Sequence, residues 1–337
     1  MAHGLVESVL HGDSSAQRRA IAKAITLLES SLTQDRLDAD EMLTGLLLHS
    51  GQALRLGVSG VPGVGKSTFI EALGLSLIAQ GRRVAVLTVD PSSAVSGGSI
   101  LGDKTRMERL SVHPKAFIRP SPSGGNLGGV AERTRESMLV CEAAGYDIVI
   151  VETVGVGQSE IAVAGMVDLF VLMQLPNAGD ELQAIKRGVM EVADIVLVNK
   201  ADLDADAAMR AQSLLASAMR ILSPQGGARH AQHELPPVLQ VSALQGSGLM
   251  EFWATVQGYE ARRKANGQWQ ARRAAQSRAW LLERIEAGLK QRFWSQSGVE
   301  QAFEETLASV QAGTLAASTG ARRLLELADA GRTQGRH

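Results

Sequence analysis

Eight consecutive residues, Gly60-Val-Pro-Gly63-Val64-Gly65-Lys66-Ser67, fit the pattern G-x-x-x-x-G-K-[ST]. Such a run can hold a chain of phosphates. Its glycines let the backbone turn tightly enough for N–H groups to close around phosphate oxygens. A helix that starts inside the run adds the positive end of its dipole. Lys66 would reach the β- and γ-phosphates, and the Ser67 hydroxyl would ligate Mg²⁺. Gly60, Gly63, Val64, Gly65 and Thr68 complete the expected phosphate-binding set. A chance glycine-rich turn would lack the right neighbours. Here the apolar run 54–59 predicts a strand before the motif, and 68–80 predicts a helix after it.

A second set could read the base. Asn199-Lys200-Ala201-Asp202 follows the apolar run 195–198 and fits N-K-x-D. The Asp202 carboxylate would accept the ring N–H and the 2-amino group of guanine; adenine offers neither, and would leave the carboxylate unpaired. Asn199 would bond the purine edge and tie its loop to the phosphate loop. Ser242-Ala243-Leu244 follows the next apolar run and resembles a loop whose backbone N–H meets the guanine carbonyl. Ser242 is equally suited to capping a helix.

A third set bears on hydrolysis. The run 148–151 ends at Glu152, and Gly155-Val-Gly157 follows. A carboxylate at a strand end beside a nucleotide complements Mg²⁺, and Gly155 could donate its N–H to the γ-phosphate. The other reading of Glu152 is a strand-end carboxylate facing solvent. Asp90 and Asp103 flank a Gly/Ser-rich stretch; either could bind Mg²⁺ or orient the attacking water. Asp90, before Pro91, is just as good a turn former. His230-x-x-His233 has metal-like spacing but sits in a polar run without Cys or clustered carboxylates, so it reads as solvated loop. Cys141 stands alone in an apolar run and reads as core; one cysteine excludes an internal disulfide framework.

These residues need elements to hold them. Strands are predicted at 54–59, 83–89, 147–152, 168–175, 194–198 and 237–241, with helical patterns between them. Several are apolar throughout, as strands covered on both faces should be. The alternation predicts an α/β fold: a P-loop NTPase with a mainly parallel sheet covered by helices. Residues 1–50 read as an N-terminal helical extension, 51–255 as the P-loop domain and 256–337 as a C-terminal helical arm. The arm has no proline, and Trp269, Trp280 and Trp294 recur on one helical face. That stripe suits either packing onto the sheet domain or a subunit interface. Residues 260–294 hold nine Lys/Arg against three Glu, a pattern read here as a solvated helix rather than a nucleic-acid surface. With 34 basic and 35 acidic residues, the net charge of −1 gives no general attraction to nucleic acid or anionic membrane. The sequence shows no secretory leader and no apolar run near the roughly 18 residues of a membrane helix, so a cytoplasmic location is expected.

Together, Gly-Val-Pro-Gly-Val-Gly-Lys-Ser-Thr at 60–68, Val-Asp-Pro-Ser-Ser at 89–93, Gly-Asp-Lys-Thr-Arg-Met at 102–107, Glu-Thr-Val-Gly-Val-Gly-Gln-Ser-Glu at 152–160 and Asn-Lys-Ala-Asp at 199–202 resemble the MeaB/ArgK family of P-loop GTPases. The family is also known as LAO/AO-type transport ATPases, and the resemblance covers nearly the whole chain. Glu152 in place of Asp separates the group from Ras-like GTPases. Nickel-inserting relatives share the exchange but carry Cys/His metal sites that this sequence lacks. The resemblance implies a GTPase using GTP/GDP and Mg²⁺, with Asp90, Asp103 and Glu152 working beside Ser67. It implies a third switch at 174–188 whose Lys186 is brought toward the phosphates when a partner binds; from the residues alone Lys186 is an ordinary surface lysine. It implies a homodimer through the C-terminal arm. It also implies a partner, an adenosylcobalamin-dependent methylmalonyl-CoA mutase or related acyl-CoA mutase, whose cofactor loading is gated and which is protected from inactivation. The alternatives are a metallochaperone-type GTPase and a transport-linked ATPase or kinase.

Overall fold

The structure is a computed structural model that describes residues 2–30, 32–89, 107–121, 127–153, 159–176, 187–222 and 235–334. Its centre is a seven-stranded parallel sheet of order β3-β2-β4-β1-β5-β6-β7. The strands are β1 (Leu54–Gly60), β2 (Val84–Val89), β3 (Ala116–Ser121), β4 (Ile148–Thr153), β5 (Leu169–Gln174), β6 (Ile195–Val198) and β7 (Val238–Gln240). Every residue of β2, β4, β5 and β6 is buried, as continuous apolar runs between two helical layers require. The chain builds β2, β3 and β4 to one side of β1, then crosses to build β5, β6 and β7 on the other. The crevice at the C-terminal end of β1 is therefore the place where a parallel α/β sheet receives a ligand.

Six strands stand where the apolar runs predict them. The seventh, β3, was missed within the Gly/Ser-rich stretch. Its sequence, Ala-Phe-Ile-Arg-Pro-Ser, breaks the apolar run with Arg119 and Pro120. Proline has no N–H for the ladder, which an edge strand tolerates and a central strand does not; β3 is the sheet edge.

One face of the sheet carries α4 (Lys66–Ala79), α5 (Glu108–Ser111) and α10 (Leu249–Ala265). The other carries α6 (Leu127–Ala143), α7 (Ser159–Ala164), α8 (Arg187–Val192) and α9 (Ala205–Leu222). The N-terminal helices α1 (Ala2–His11), α2 (Ser14–Glu29) and α3 (Thr33–Leu46) pack over this second layer, burying Ile21, Ile25 and Leu28 as their spacing predicts. Polar ties fix α2 to the sheet. Arg83 donates to Gln17 Oε1 at 2.7 Å, and Arg119 pairs with Glu29 at 2.7 Å. Cys141 is buried in the same core, where burial pushes its thiol pKa up.

Residues 2–270 lie in the first of two compact units. The composition boundary at 256 falls inside α10, which runs unbroken from Leu249 to Ala265 and buries Phe252, Trp253, Val256 and Tyr259 against α4 and the sheet. Phe252 meets Phe69 of α4 edge-on, with ring centroids 5.2 Å apart. One residue of the basic run is not solvated. Arg263 is 8% exposed; its Nη1 donates to the Asp168 carbonyl at 3.1 Å and its Nη2 to Asp194 Oδ1 at 2.8 Å. Asp194 in turn accepts the Phe170 N–H at 2.8 Å, so the guanidinium pins α10 to the entry ends of β5 and β6. Arg263→Met removes this guanidinium from the Asp194 carboxylate, which is only 10% exposed. It is expected to destabilise the protein by about 3–5 kcal/mol in chemical denaturation. A surface lysine or arginine would cost at most about 0.5 kcal/mol, and a value that small would show that the pair contributes nothing.

The second unit, residues 271–337, holds most of α11 (Gln268–Trp294), with α12 (Val299–Gln311) and α13 (Ala317–Gln334). Trp294 is sandwiched edge-on by Phe293 and Phe303, at 5.1 and 5.0 Å. The three tryptophans share one helix, but Trp269 belongs to the core of the first unit. Among the described residues, no helix is long and apolar enough to cross a membrane.

Candidate functional site

The loop 60–65 joins β1 to α4 at the crevice. Gly60 has φ +154°, and a Cβ there would lie 2.5 Å from the Met173 carbonyl oxygen. Gly65 has φ +93° and caps α4; its Cβ would lie 2.7 Å from Asn199 Nδ2. Backbone strain and lack of space each require glycine at both positions. The first residue of α4 is Lys66, 8% exposed, whose Nζ donates to the Gly60 carbonyl at 2.7 Å and approaches that of Val61 at 3.4 Å. The loop thus curls around its own lysine at a helix N-terminus, an arrangement suited to a polyanion.

Next along α4, Ser67 Oγ donates to Glu152 Oε1 at 3.0 Å. Glu152, near the end of β4, is buried and faces α4 rather than solvent. The adjacent Thr153 donates to Ser59 at 2.8 Å, holding the ends of β4 and β1 together. A serine hydroxyl and a carboxylate are hard oxygen donors of the kind Mg²⁺ takes. Other polar atoms stand at the ends of neighbouring elements. Thr88 Oγ1 at the end of β2, Ser159 Oγ at the start of α7 and Gln174 Oε1 at the end of β5 are buried without a hydrogen-bond partner among the described residues. Thr88 stands in register beside Glu152. Buried strand ends with orphan hydroxyls and amides are costly unless something polar joins them. Ser67 and Glu152, with Thr88 beside them, therefore fit a hydrated cation next to a phosphate group. Sequence reasoning missed Ser59 and Thr88, and it quoted Ser159 and Gln174 only as parts of longer motifs. The signal for Ser59, Thr88 and Gln174 was a polar residue at or near the end of an otherwise apolar run.

On the other side of β1, Asn199 is the hinge of the site. Its Nδ2 donates to the Val64 carbonyl at 2.7 Å, and its Oδ1 accepts the Ala243 N–H at 3.1 Å. One buried carboxamide thereby joins the phosphate loop, the 199–202 loop and the 242–244 loop. The tie to the phosphate loop is the one the sequence leads us to expect. Lys200 follows with φ +60°, the one non-glycine residue of positive φ among the described residues. This bend carries the chain out to the exposed Asp202. Ser242 does not cap the following helix, whose N-cap is Gly248; its hydroxyl accepts the Gln245 N–H at 3.2 Å and holds a turn instead. Leu244 in that turn is 82% exposed. Asp90, Asp103, Gly155, Lys186, His230 and His233 lie outside the described residues.

A strand–glycine loop–helix unit, a buried carboxylate beside its serine, and a second pair of loops locked to it by one asparagine define a P-loop nucleotide-binding protein. Comparison with known proteins narrows the class. The chain belongs to the family of methylmalonyl Co-A mutase-associated GTPases, MeaB, whose family model matches residues 21–298. It is 50% identical over 327 residues to the probable GTPase Rv1496 of Mycobacterium tuberculosis, covering 97% of this chain and 95% of that one. It is 42% identical over 332 residues to the mitochondrial methylmalonic aciduria type A homolog of Mus musculus, covering 95% of this chain and 79% of the relative. A crystal structure of LAO/AO transport system kinase matches 97% of both chains at 37% identity with a TM-score of 0.75. The protein is a GTPase with the P-loop fold.

Proposed function

We propose that this GTPase is a nucleotide-dependent chaperone of an adenosylcobalamin-dependent methylmalonyl-CoA mutase, acting in the cytoplasm to gate cofactor loading and protect the mutase from inactivation. The observation that carries this reading is the match of residues 21–298 to a family described by its association with that mutase. The mouse relative, named for methylmalonic aciduria, supports it.

Phosphoryl transfer to water asks the protein for positioning and charge neutralisation rather than a nucleophile. Lys66 and the amides of the phosphate loop would hold the β- and γ-phosphates. Ser67, Glu152, Asp90 and Asp103 would hold Mg²⁺, which when bound offsets the charge on the phosphates. Gly155 would donate its N–H to the γ-phosphate, and Lys186 would approach when the mutase binds. Lys200, Asp202 and the Ser242-Ala243-Leu244 loop would enclose guanine, with Asn199 keeping them in register with Val64. Homodimer formation through the second unit is supported by Leu281, Leu282, Ile285 and Leu289. These share one face of α11 and are each about half exposed or more.

The test is GTP and ATP turnover with and without the purified mutase. We expect hydrolysis of GTP alone, rising about tenfold or more when the mutase adds its trigger. GTP hydrolysis indifferent to the mutase would remove the partner. ATP turnover equal to GTP, with phosphate passed to a substrate, would favour the kinase reading instead.

A further inference from the structure

The three N-terminal helices line a cleft of about 480 Å³. Small-molecule sites commonly measure roughly 300–1,000 Å³. The floor of this one is apolar. Ala2 and Leu5 of α1 are buried there, and Leu27 of α2 packs against the same core. Its other lining is acidic: Glu29, the last residue of α2, with Asp35 and Asp38 of α3. Lys23, the one cation of the lining, is exposed.

Two of these carboxylates have local work. Asp35 stands in the first turn of α3, where the helix dipole favours an acid, and accepts the Ser30 hydroxyl at 2.5 Å. Asp38 accepts the Gln34 amide at 3.3 Å. Glu29 is different. Its side chain is 10% exposed, and Oε2 accepts from Arg119 Nη2 of β3 at 2.7 Å. Oε1 is buried without a hydrogen-bond partner among the described residues. Burying a carboxylate oxygen unmet is costly, so this atom calls for a donor. The terminal torsion of glutamate is soft, and it can turn Oε1 toward a donor that enters the cleft.

The lining discriminates among occupants. An anion would meet three carboxylates and one exposed lysine. A metal ion would need shared ligands, and among the described residues no three Asp, Glu, His or Cys side chains come together to hold one. A neutral apolar molecule would suit the floor and leave Oε1 unmet. An organic cation satisfies both parts, with its stem on Ala2, Leu5 and Leu27 and its head on Glu29.

We infer that this cleft binds a small organic cation, a primary ammonium or guanidinium carried on an aliphatic stem. Glu29 recognises the head, and Asp38 adds to the negative field around it. The lining contains no residue of the phosphate loop or of the 199–202 and 242–244 loops. The inference therefore stands apart from the reading of the mutase partner and of the Mg²⁺ carboxylates.

The experiment titrates the full chain by calorimetry at fixed ionic strength. The probes are methylammonium, propylammonium and pentylammonium, then pentylguanidinium, 1-pentanol and pentanoate. Pentylammonium or pentylguanidinium should saturate one site with a Kd of about 1 mM or below, a level open to a ligand of so few atoms. Affinity should rise about threefold for each methylene added, as the stem leaves water. Pentanol and pentanoate should bind at least about tenfold more weakly, because neither brings a cation to Glu29. Glu29→Gln should weaken the cation about tenfold or more. Asp38→Asn has no part in the Arg119 pair; it should weaken the cation about two- to fivefold and serves if Glu29→Gln does not fold. Methylammonium binding as tightly as pentylammonium would reveal a bare surface ion pair and overturn the site. Unchanged affinity in both variants would do the same, as would failure to saturate by about 20 mM. Mg²⁺ or Ca²⁺ displacing pentylammonium at equal concentration would make the cleft a metal site instead. A blocked pentapeptide with one central lysine that binds tighter than pentylammonium would assign the cleft to a partner's side chain and overturn the small-molecule reading.

Discussion

Lys66→Met is expected to lower GTP hydrolysis about 10³-fold or more while leaving the fold intact. The lysine is the first residue of α4 and 8% exposed, so its ammonium works in a site largely closed to water. The Gly60 carbonyl at 2.7 Å holds it, with Val61 at 3.4 Å. Carbonyl dipoles orient a cation without cancelling its charge, and a preorganised charge is what a phosphoryl-transfer step uses. Removing one preorganised donor typically costs 10²–10³ in rate, and removing a full positive charge from the phosphates costs at least as much. Methionine keeps the length of the stem and its apolar packing, so the thermal midpoint should move by only a few degrees. Lys66→Arg should not restore the rate, because a flat guanidinium is larger than the ammonium the loop curls around. Single-turnover hydrolysis decides the matter. A rate within tenfold of the unmodified protein would take Lys66 out of the reacting centre.

What the sequence discloses and what it hides divide along a physical line. The phosphate loop, the 199–202 loop and the strand that carries Glu152 are written in consecutive residues, because each is one local element with its own backbone demands. Gly60 and Gly65 show the demand directly, in positive φ and in space that no Cβ could share. The sheet is legible for the same reason, since a strand covered on both faces must be apolar along its length. The edge strand β3 escapes that rule and so escaped detection. Long-range ties are a different matter. Arg263 lies 69 residues from Asp194 and looked like one more solvated base in Arg262-Arg263-Lys264. Glu71 lies 38 residues from Arg109, whose N–H it accepts. Neither has a local signature, because its partner is chosen by the fold and not by its neighbours in the chain. The N-terminal extension shows a milder form. No Gly or Pro interrupts the helical pattern from 13 to 44, yet α2 ends at Glu29 and α3 begins at Thr33. Ser30 takes an extended conformation there, and its side chain bonds Asp35 at 2.5 Å. Serine competing for local backbone and side-chain bonds can end a helix without help from proline.

Base choice can be separated from phosphate binding by the same division of labour. Asp202→Asn is expected to weaken GTP binding by about 10²–10⁴-fold and to make xanthosine triphosphate the better substrate. Guanine presents two donors, its ring N–H and its 2-amino group, to a carboxylate that only accepts. In asparagine one of those oxygens becomes an NH₂ donor and faces the 2-amino group, so one hydrogen bond becomes a clash of donors. Xanthine carries an oxygen at that position and accepts from the new NH₂ while its ring N–H still donates to the remaining oxygen. A site built around such bonds discriminates by about 10⁴–10⁵, because the wrong base leaves buried polar groups unpaired. Asp202 is exposed in the protein as described here, which places the expected loss toward the lower end of its range. Asn199→Ala supplies the contrast. That side chain joins Val64 to Ala243, so its loss should weaken guanine and xanthine nucleotides alike and shift no preference. Competition titrations with GTP and xanthosine triphosphate against both variants read the two effects apart. Unchanged GTP affinity in Asp202→Asn would remove the guanine-reading role from this loop. A preference shift in Asn199→Ala would move that role onto the asparagine.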